Sequence, residues 1–390
     1  MHKSKLIKKF AFLKKNRRMK LFIVVNVDRF LISHRMVIAM AAQKAGWDVT
    51  VITADTGRLK EIEAVGLKTI NLPMSRSGKN ILQELTTFGF LYKLYRREKP
   101  DVVHHVGIKT ILWGTLAAKF AKVHGVVNAV SGLGGFFAEK NQSMMAKLLP
   151  IVLRYSHHRN NLNVIFQNIE DKQLFMEHRI IQEAQARYIK GSGVNLKDYS
   201  YTPEPKDGKI IILLTARMIV EKGVFILTDA AEKLRKEYEN KAEFWIVGGL
   251  DDHPGAITKE QLNAVCDGKY IKWLGRREHV KELLQQCHLF AFPSYYMEGL
   301  PKSLIEACAI GRPIVTTDNI GCRDVVTDGM NGYLVPIKDS DALAEKIKAL
   351  IDHPEWRLQM GMASRRVAEE NFSVDSVVEN HLTIYNELVS

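Results

Sequence analysis

Short apolar runs alternate with helix-length amphipathic stretches along this chain, and the alternation is completed twice. The first series is KLFIVV at Lys20 to Val25, then WDVTVIT, LKTINLP, DVVHHVG, VHGVVNAVSG and LNVIFQN. Helical stretches such as Asn80 to Glu98 and Lys109 to Val123 separate these runs. Such a pattern predicts a parallel sheet with helices on both faces. After KLFIVV, a loop over Asn26 to Ser33 and a helix to about Ala45 are expected. From Gly208 the series restarts with KIIILLTAR, EFWIVGG, YIKWLG and HLFAFP. A chain of 390 residues has room for two domains. The expected class is α/β with two doubly wound domains, residues 20–200 and 201–370, joined through the turn-rich Gly193 to Lys206. Residues 1–19 form a basic extension and 371–390 a closing helix. Ligands of such sheets bind beyond the carboxyl ends of the strands, so two facing domains define a cleft.

The stretch Ser294 to Pro313, SYYMEGLPKSLIEACAIGRP, concentrates the chemistry. Pro301 suits a first helical position, and the helix is expected to end at Gly311. Unpaired N–H groups near Gly299 and Leu300, with the positive end of the helix dipole, favour an anion such as a diphosphate. Glu298 before the helix and Glu306 on it are carboxylates within reach of one ligand, and each can accept two vicinal hydroxyls. Glu306 suits a ribose and Glu298 a sugar. Ile305, Ala307, Cys308, Ala309 and Ile310 make this helix apolar nearly all round, so Glu306 is expected to be buried and partnered. Arg217 and Lys222 follow KIIILLTA and place two cations where a diphosphate would lie, unless they form a surface salt-bridge set with Glu221.

These residues resemble the retaining GT-B glycosyltransferases of family 4. Glu298 and Glu306, with seven residues between them, are similar to that family's E-x7-E signature, and Arg217 with Lys222 to its R-x4-K pair on the donor diphosphate. IVGG, WLGR, GRPIVTTDNIGCRDVV and DGMNGYLVP follow in the family's order, from about Lys20 to the C-terminus. The resemblance implies two Rossmann-like domains across a cleft and a C-terminal helix crossing back to the first domain. It also implies a donor site including Gly248, Arg276, Gly299, Leu300, Pro301 and Lys302, and a diphosphate held without a divalent ion. Gly132, Gly134 and Gly135 resemble a glycine-rich loop of relatives that build surface glycans, with Ser131 where many carry histidine. The catalytic set expected on this basis is Glu298, Arg217, Lys222 and His34. Arg35, His105, Lys109 and Ser131 are the acceptor candidates; for His105, its neighbour His104 and Lys109 a purely structural role is the open alternative.

Charge is uneven. Residues 1–200 carry 33 Lys and Arg against 14 Asp and Glu, a balance of +19, whereas the remainder carries 23 against 29, a balance of −6. Met1 to Lys20 has nine cations and no acid, interleaved with Leu6, Ile7, Phe10, Phe12 and Leu13. This suits an interfacial segment on an anionic inner leaflet, or a disordered basic tail. A second apolar stretch, Met144 to Leu153, has basic borders from Lys140 to Arg159. No run of about twenty apolar residues occurs, so a soluble or peripheral cytoplasmic protein is expected. The four cysteines read as reduced core thiols, and neither Asp251-Asp252-His253 nor Asp339 with Asp341 reads as a metal site. A nucleotide-sugar, UDP-linked by preference, is the expected donor, and a saccharide on a polyprenyl diphosphate the expected acceptor. The alternatives are a soluble acceptor or a sugar-nucleotide epimerase; no nucleic-acid module is present.

Overall fold

The computed structural model describes residues 17–74, 81–133, 144–297 and 299–390. Its first sheet is formed by β1 (Lys20–Val27), β2 (Asp48–Ala54), β3 (Lys68–Asn71), β4 (Val102–Val106), β5 (Gly125–Ala129), β6 (Leu162–Phe166) and β7 (Ala186–Tyr188). All pairings are parallel, in the order β3-β2-β1-β4-β5-β6-β7. The second sheet is formed by β8 (Ile210–Thr215), β9 (Ala242–Val247), β10 (Ile271–Trp273), β11 (Leu289–Phe292), β12 (Ile314–Thr317) and β13 (Gly332–Val335), in the order β10-β9-β8-β11-β12-β13. Strand order reverses between β1 and β4, and again between β8 and β11. These are the two switch points at which such sheets open a crevice.

Each apolar run quoted above becomes a strand, and the central strands are covered on both faces. β4 to β6 are buried at every position, so they read as unbroken rather than alternating. The expected loop over Asn26 to Ser33 is instead largely helix: α1 (Asp28–His34) is followed at once by α2 (Met36–Lys44). Asp28 explains the misreading. It is fully buried, and its carboxylate accepts from the N–H groups of Thr56 and Arg58 and from the Thr56 hydroxyl, pinning the loop after β2. Burial alone would raise its pKa, but these hydrogen bonds outweigh burial and leave it lowered.

The chain crosses between domains twice, and the two crossings lie side by side. Val194 N donates to Phe372 O at 2.8 Å and Val374 N donates to Val194 O at 3.0 Å. α13 (Pro354–Asn371) stays with the second sheet, whereas α14 (Val374–Glu387) returns to the first. Val377, Ile384, Tyr385 and Leu388 are buried there with Leu21, Ile23, Val25 and Val106. The expected linker is packed as well: buried Arg312 donates to the carbonyls of Thr202 and Pro203.

Burial corrects two acceptor assignments, Arg35 beneath α14 and His105 on the other face of the sheet. Arg35, at the joint between α1 and α2, is 1% exposed, and Tyr385, His381 and His104 lie around it. Its Nη1 donates to His34 O at 3.0 Å, and burial lowers its pKa to about 10. A guanidinium covered in this way presents no face to a cleft ligand. His104 and His105 are neighbours on a central strand, so they point to opposite faces. His104 meets Tyr385 OH at 2.7 Å beneath α14, while His105 lies between Tyr95 OH at 3.0 Å and Asn128 Oδ1 at 2.9 Å. Both rings are fully buried structural groups, and burial depresses both pKa values.

Candidate active site

The site is built where β8 and β11 end. After β8, a single turn of 3-10 helix, Val220–Lys222, closes on Gly223, whose φ is +79°. Any Cβ at 223 would stand 2.1 Å from the Pro293 carbonyl oxygen, so glycine is required by both conformation and space. The close approach ties this turn to the segment following β11. Tyr295 N donates to Glu221 O at 2.9 Å, and Ser294 Oγ donates to the same carbonyl at 3.3 Å. Lys222 is thereby drawn in to 6% exposure, its ammonium 5.2 Å from the ring centres of Phe292 and Tyr296. The Arg217 guanidinium lies 5.9 Å from the same Tyr296 ring centre, so two cations share one aromatic neighbour. Arg217 pairs with Asp251 at 3.5 Å and not with Glu221. Asp251 also accepts from His253 N at 2.9 Å, so the Asp-Asp-His stretch is a hydrogen-bonded turn. Asp339 caps α12 (Ser340–Asp352), accepting from the N–H groups of Asp341 and Ala342.

The helix after this loop is α11 (Lys302–Ile310). Pro301 has ψ 119°, which is extended, so it stands at the cap rather than in the first turn; Gly311 at φ 86° closes the other end. Glu306 is largely buried, with a side chain 13% exposed, and it has partners: Tyr199 OH donates to Oε1 at 3.3 Å and Lys302 Nζ lies 3.7 Å away. Burial raises its pKa against the opposing pull of Lys302 and Tyr199. Glu298 and Gly134 lie outside the described residues.

Across the cleft the structure departs from expectation. Gly299 N donates to Ser131 O at 3.3 Å, and Leu300 N donates to Gln167 Oε1 at 3.1 Å. These N–H groups, expected to face a diphosphate, bond to the first domain in this structure. The reason is that α11 starts at Lys302, leaving Gly299 and Leu300 in the loop that touches the opposite sheet. Lys302 reaches over as well, its Nζ donating to Ser33 O at 2.6 Å. Gln167 escaped the sequence reading; its only signal is a polar side chain placed directly after the apolar LNVIF strand, where ligands of such sheets bind.

Asn168, next to Gln167, caps α7 (Ile169–Glu177) by accepting from Asp171 N at 2.7 Å, and its Nδ2 donates to Asp171 Oδ2 at 3.1 Å. Burial raises the Asp171 pKa to about 6, assisted by the carboxylates of Glu170 and Asp324. An acid whose folded pKa lies above its unfolded value of 3.8 holds its proton more tightly when folded, so the protein loses stability as pH rises from about 4 to 6. Asp171→Asn removes that loss. Relative to the native protein, its stability in urea melts is expected to gain on the order of 2 kcal/mol between pH 4 and pH 7. A difference that stays constant with pH would contradict this.

Among the other candidates, His34 stacks on Phe30 with ring centres 4.2 Å apart and bonds Ser33 Oγ at 2.6 Å through Nδ1. Burial, then the cations Lys302 and Arg35, lower its pKa to about 3, so the ring is neutral and a weak base. Lys109 pairs with Glu84 at 3.3 Å. Gly248 permits close packing: a Cβ there would lie 1.7 Å from Ala216 O. Arg276 is exposed and lies within electrostatic reach of Glu61 on α3 (Leu59–Ala64) of the first domain.

Two family models match the chain, one for each sheet. "Glycosyl transferase 4-like" covers residues 20–168 and "Glycosyl transferases group 1" covers residues 209–353. A curated relative from Campylobacter jejuni, N,N'-diacetylbacillosaminyl-diphospho-undecaprenol alpha-1,3-N-acetylgalactosaminyltransferase, is 30% identical over 377 residues, covering 91% of this chain and 95% of the relative. UDP-Gal:alpha-D-GlcNAc-diphosphoundecaprenol alpha-1,3-galactosyltransferase of Escherichia coli is 21% identical over 353 residues, covering 88% and 90%. Among solved structures, Anabaena HepE in complex with UDP superposes with a TM-score of 0.76 over 95% of this chain and all of that one, at 16% identity. Two parallel sheets with a returning C-terminal helix, the cations at the end of β8 and these matches agree: the chain belongs to the family 4, group 1 glycosyltransferases and has the GT-B fold.

Proposed function

We propose that this glycosyltransferase moves a hexose or N-acetylhexosamine from a UDP-sugar to a saccharide carried on a polyprenyl diphosphate, with retention of configuration and without a metal ion. The observation that carries the reading is the convergence of Lys222 and Arg217 on Tyr296, beside the loop into α11. As the sugar C1–O bond breaks, charge gathers on the departing diphosphate. Cations already fixed in place stabilise that charge with little reorganisation. Glu306 holds the ribose and Glu298 the sugar. Burial, then the cations Lys302 and Arg35, depress the His34 pKa, which makes its ring a poor base for the acceptor proton. The leaving diphosphate takes that proton instead, as the acceptor hydroxyl attacks the face it vacates.

The lipid-linked acceptor is supported by the names of the two relatives, both of which act on undecaprenyl diphosphate-linked sugars. It is also supported by the surface of the first domain. Phe120 on α5 (Ile108–Ala121) and Ile151 and Tyr155 on α6 (Met144–His157) are about half exposed or more, with the Lys119 ammonium 3.9 Å above the Tyr155 ring. Exposed aromatic and aliphatic groups bordered by cations suit the interface of an anionic inner leaflet. No described helix is long and apolar enough to cross a membrane. Deleting residues 1–18 is expected to release the protein from anionic liposomes in sedimentation assays while UDP-sugar binding persists. Each basic residue near such a surface contributes about 1 kcal/mol, and salt should mimic the deletion. Unchanged sedimentation would place the anchor elsewhere.

The reaction is tested by following UDP release. Release that requires acceptor and survives EDTA supports this reading; release that EDTA abolishes and magnesium restores overturns the cation-pair account, and interconversion of UDP-sugars without acceptor identifies an epimerase.

A further inference from the structure

Gln167 stands at the carboxyl end of β6, only 5% exposed, and touches the donor loop of the opposite domain. Its Oε1 accepts the Leu300 N–H at 3.1 Å. An N–H donor can be met only by the carboxamide oxygen, so this contact fixes which way the amide faces. The NH2 group then has no acceptor among the described residues, and it is not one of the buried side-chain atoms cut off from solvent. The contact is built into the fold from both sides. A Cβ at Gly299 would stand 2.2 Å from Gln167 Oε1, so a larger residue at 299 would displace this amide. On the other side, the Asn168 cap on α7 holds the backbone that carries Gln167.

The junction leaves its donors unequally placed. Gly299 N and Leu300 N are both bonded to the first domain, whereas the Gln167 NH2 keeps its hydrogen-bonding capacity at the same spot. Arg217, Lys222 and Glu306 all belong to the second domain, and Glu306 lies more than a turn along α11 from the loop. With the ribose at Glu306 and the diphosphate at Lys222, as proposed above, the donor is held by the domain whose loop Gln167 touches.

We infer that Gln167 contacts the transferred sugar, its NH2 donating to a hydroxyl or acetamido oxygen while its Oε1 stays on Leu300. The inference rests on the glycosyl-transfer reading above. It divides the donor between the domains: the second binds the nucleotide, and the first completes the sugar pocket when the two meet. Sugar specificity is then set in part by a residue outside the nucleotide-binding domain.

Two variants separate the roles of this side chain. Gln167→Glu keeps an oxygen for Leu300 N–H and loses the NH2; Gln167→Met keeps the volume and loses both. Calorimetry with UDP and with a panel of UDP-hexoses and UDP-N-acetylhexosamines is paired with turnover, and thermal unfolding of each variant checks the fold. The expected result is UDP affinity within about twofold of native in both variants, with kcat/KM for the UDP-sugar lowered about 10- to 100-fold in both. Equal losses for UDP and UDP-sugar would overturn the inference. So would impairment of Gln167→Glu alone, which would reflect added charge, of Gln167→Met alone, which would reflect a loop tether, or of neither. A native protein that binds none of the UDP-sugars would instead overturn the glycosyl-transfer reading.

Discussion

Lys222→Ala is expected to lower turnover by about 10²- to 10³-fold while leaving the thermal unfolding midpoint near its native value, the scale seen when one preorganised group facing developing charge is removed. The size of the effect follows from where the ammonium sits. It is nearly buried, against the rings of Phe292 and Tyr296, in a region where charge is poorly screened by water. It is held there by Gly223 against Pro293 and by the hydrogen bonds from Ser294 and Tyr295 to Glu221 O, so its position is set before any ligand arrives. Arg217, more exposed and paired with Asp251, should matter less. Steady-state kinetics with saturating acceptor read the difference directly. A Lys222→Ala enzyme within a few-fold of native turnover would remove the leaving-group role.

Glu306→Gln is expected to weaken UDP-sugar binding by about 1 to 3 kcal/mol, the scale of a lost hydrogen bond to a charged group. The native carboxylate is largely buried on α11 beside Tyr199 and Lys302, so a ribose held there would bond to an acceptor mostly sheltered from water. Its pKa is raised by burial, and an acid of this kind loses its accepting charge as pH falls through the raised value. Native affinity for UDP should therefore decline on acidification, and the Glu306→Gln protein should show a flatter profile. Calorimetric titrations across that range check both parts; equal affinity in the two proteins at neutral pH would exclude the ribose contact.

The strands were legible in the sequence because buried parallel strands are unbroken apolar runs, as KIIILLTA and HLFAFP show. β7 was not: Ala186–Tyr188 is a three-residue edge strand with no apolar run to announce it. α1 read as a loop because Asp28, Arg29, Ser33 and His34 are polar, and only the fold reveals that the Asp28 carboxylate is spent inside the domain. In the site, Arg217 and Lys222 were legible because their position at the end of β8 follows from local order. Gln167 and the rings around Lys222 were not, since those contacts join segments distant in sequence. Arg35 and His105 were misassigned for the same reason in reverse. Their charge and ring chemistry suit a ligand, but α14 covers Arg35, and His105 is enclosed between Tyr95 and Asn128.

Proton NMR of the product formed from an α-linked UDP-sugar and a polyprenyl diphosphate-linked saccharide addresses the mechanism most directly. With the acceptor attacking the face that the diphosphate leaves, under the charge stabilisation of Lys222 and Arg217, the new linkage should show the small anomeric coupling of an α-glycoside. The large coupling of a β-glycoside would contradict same-face transfer.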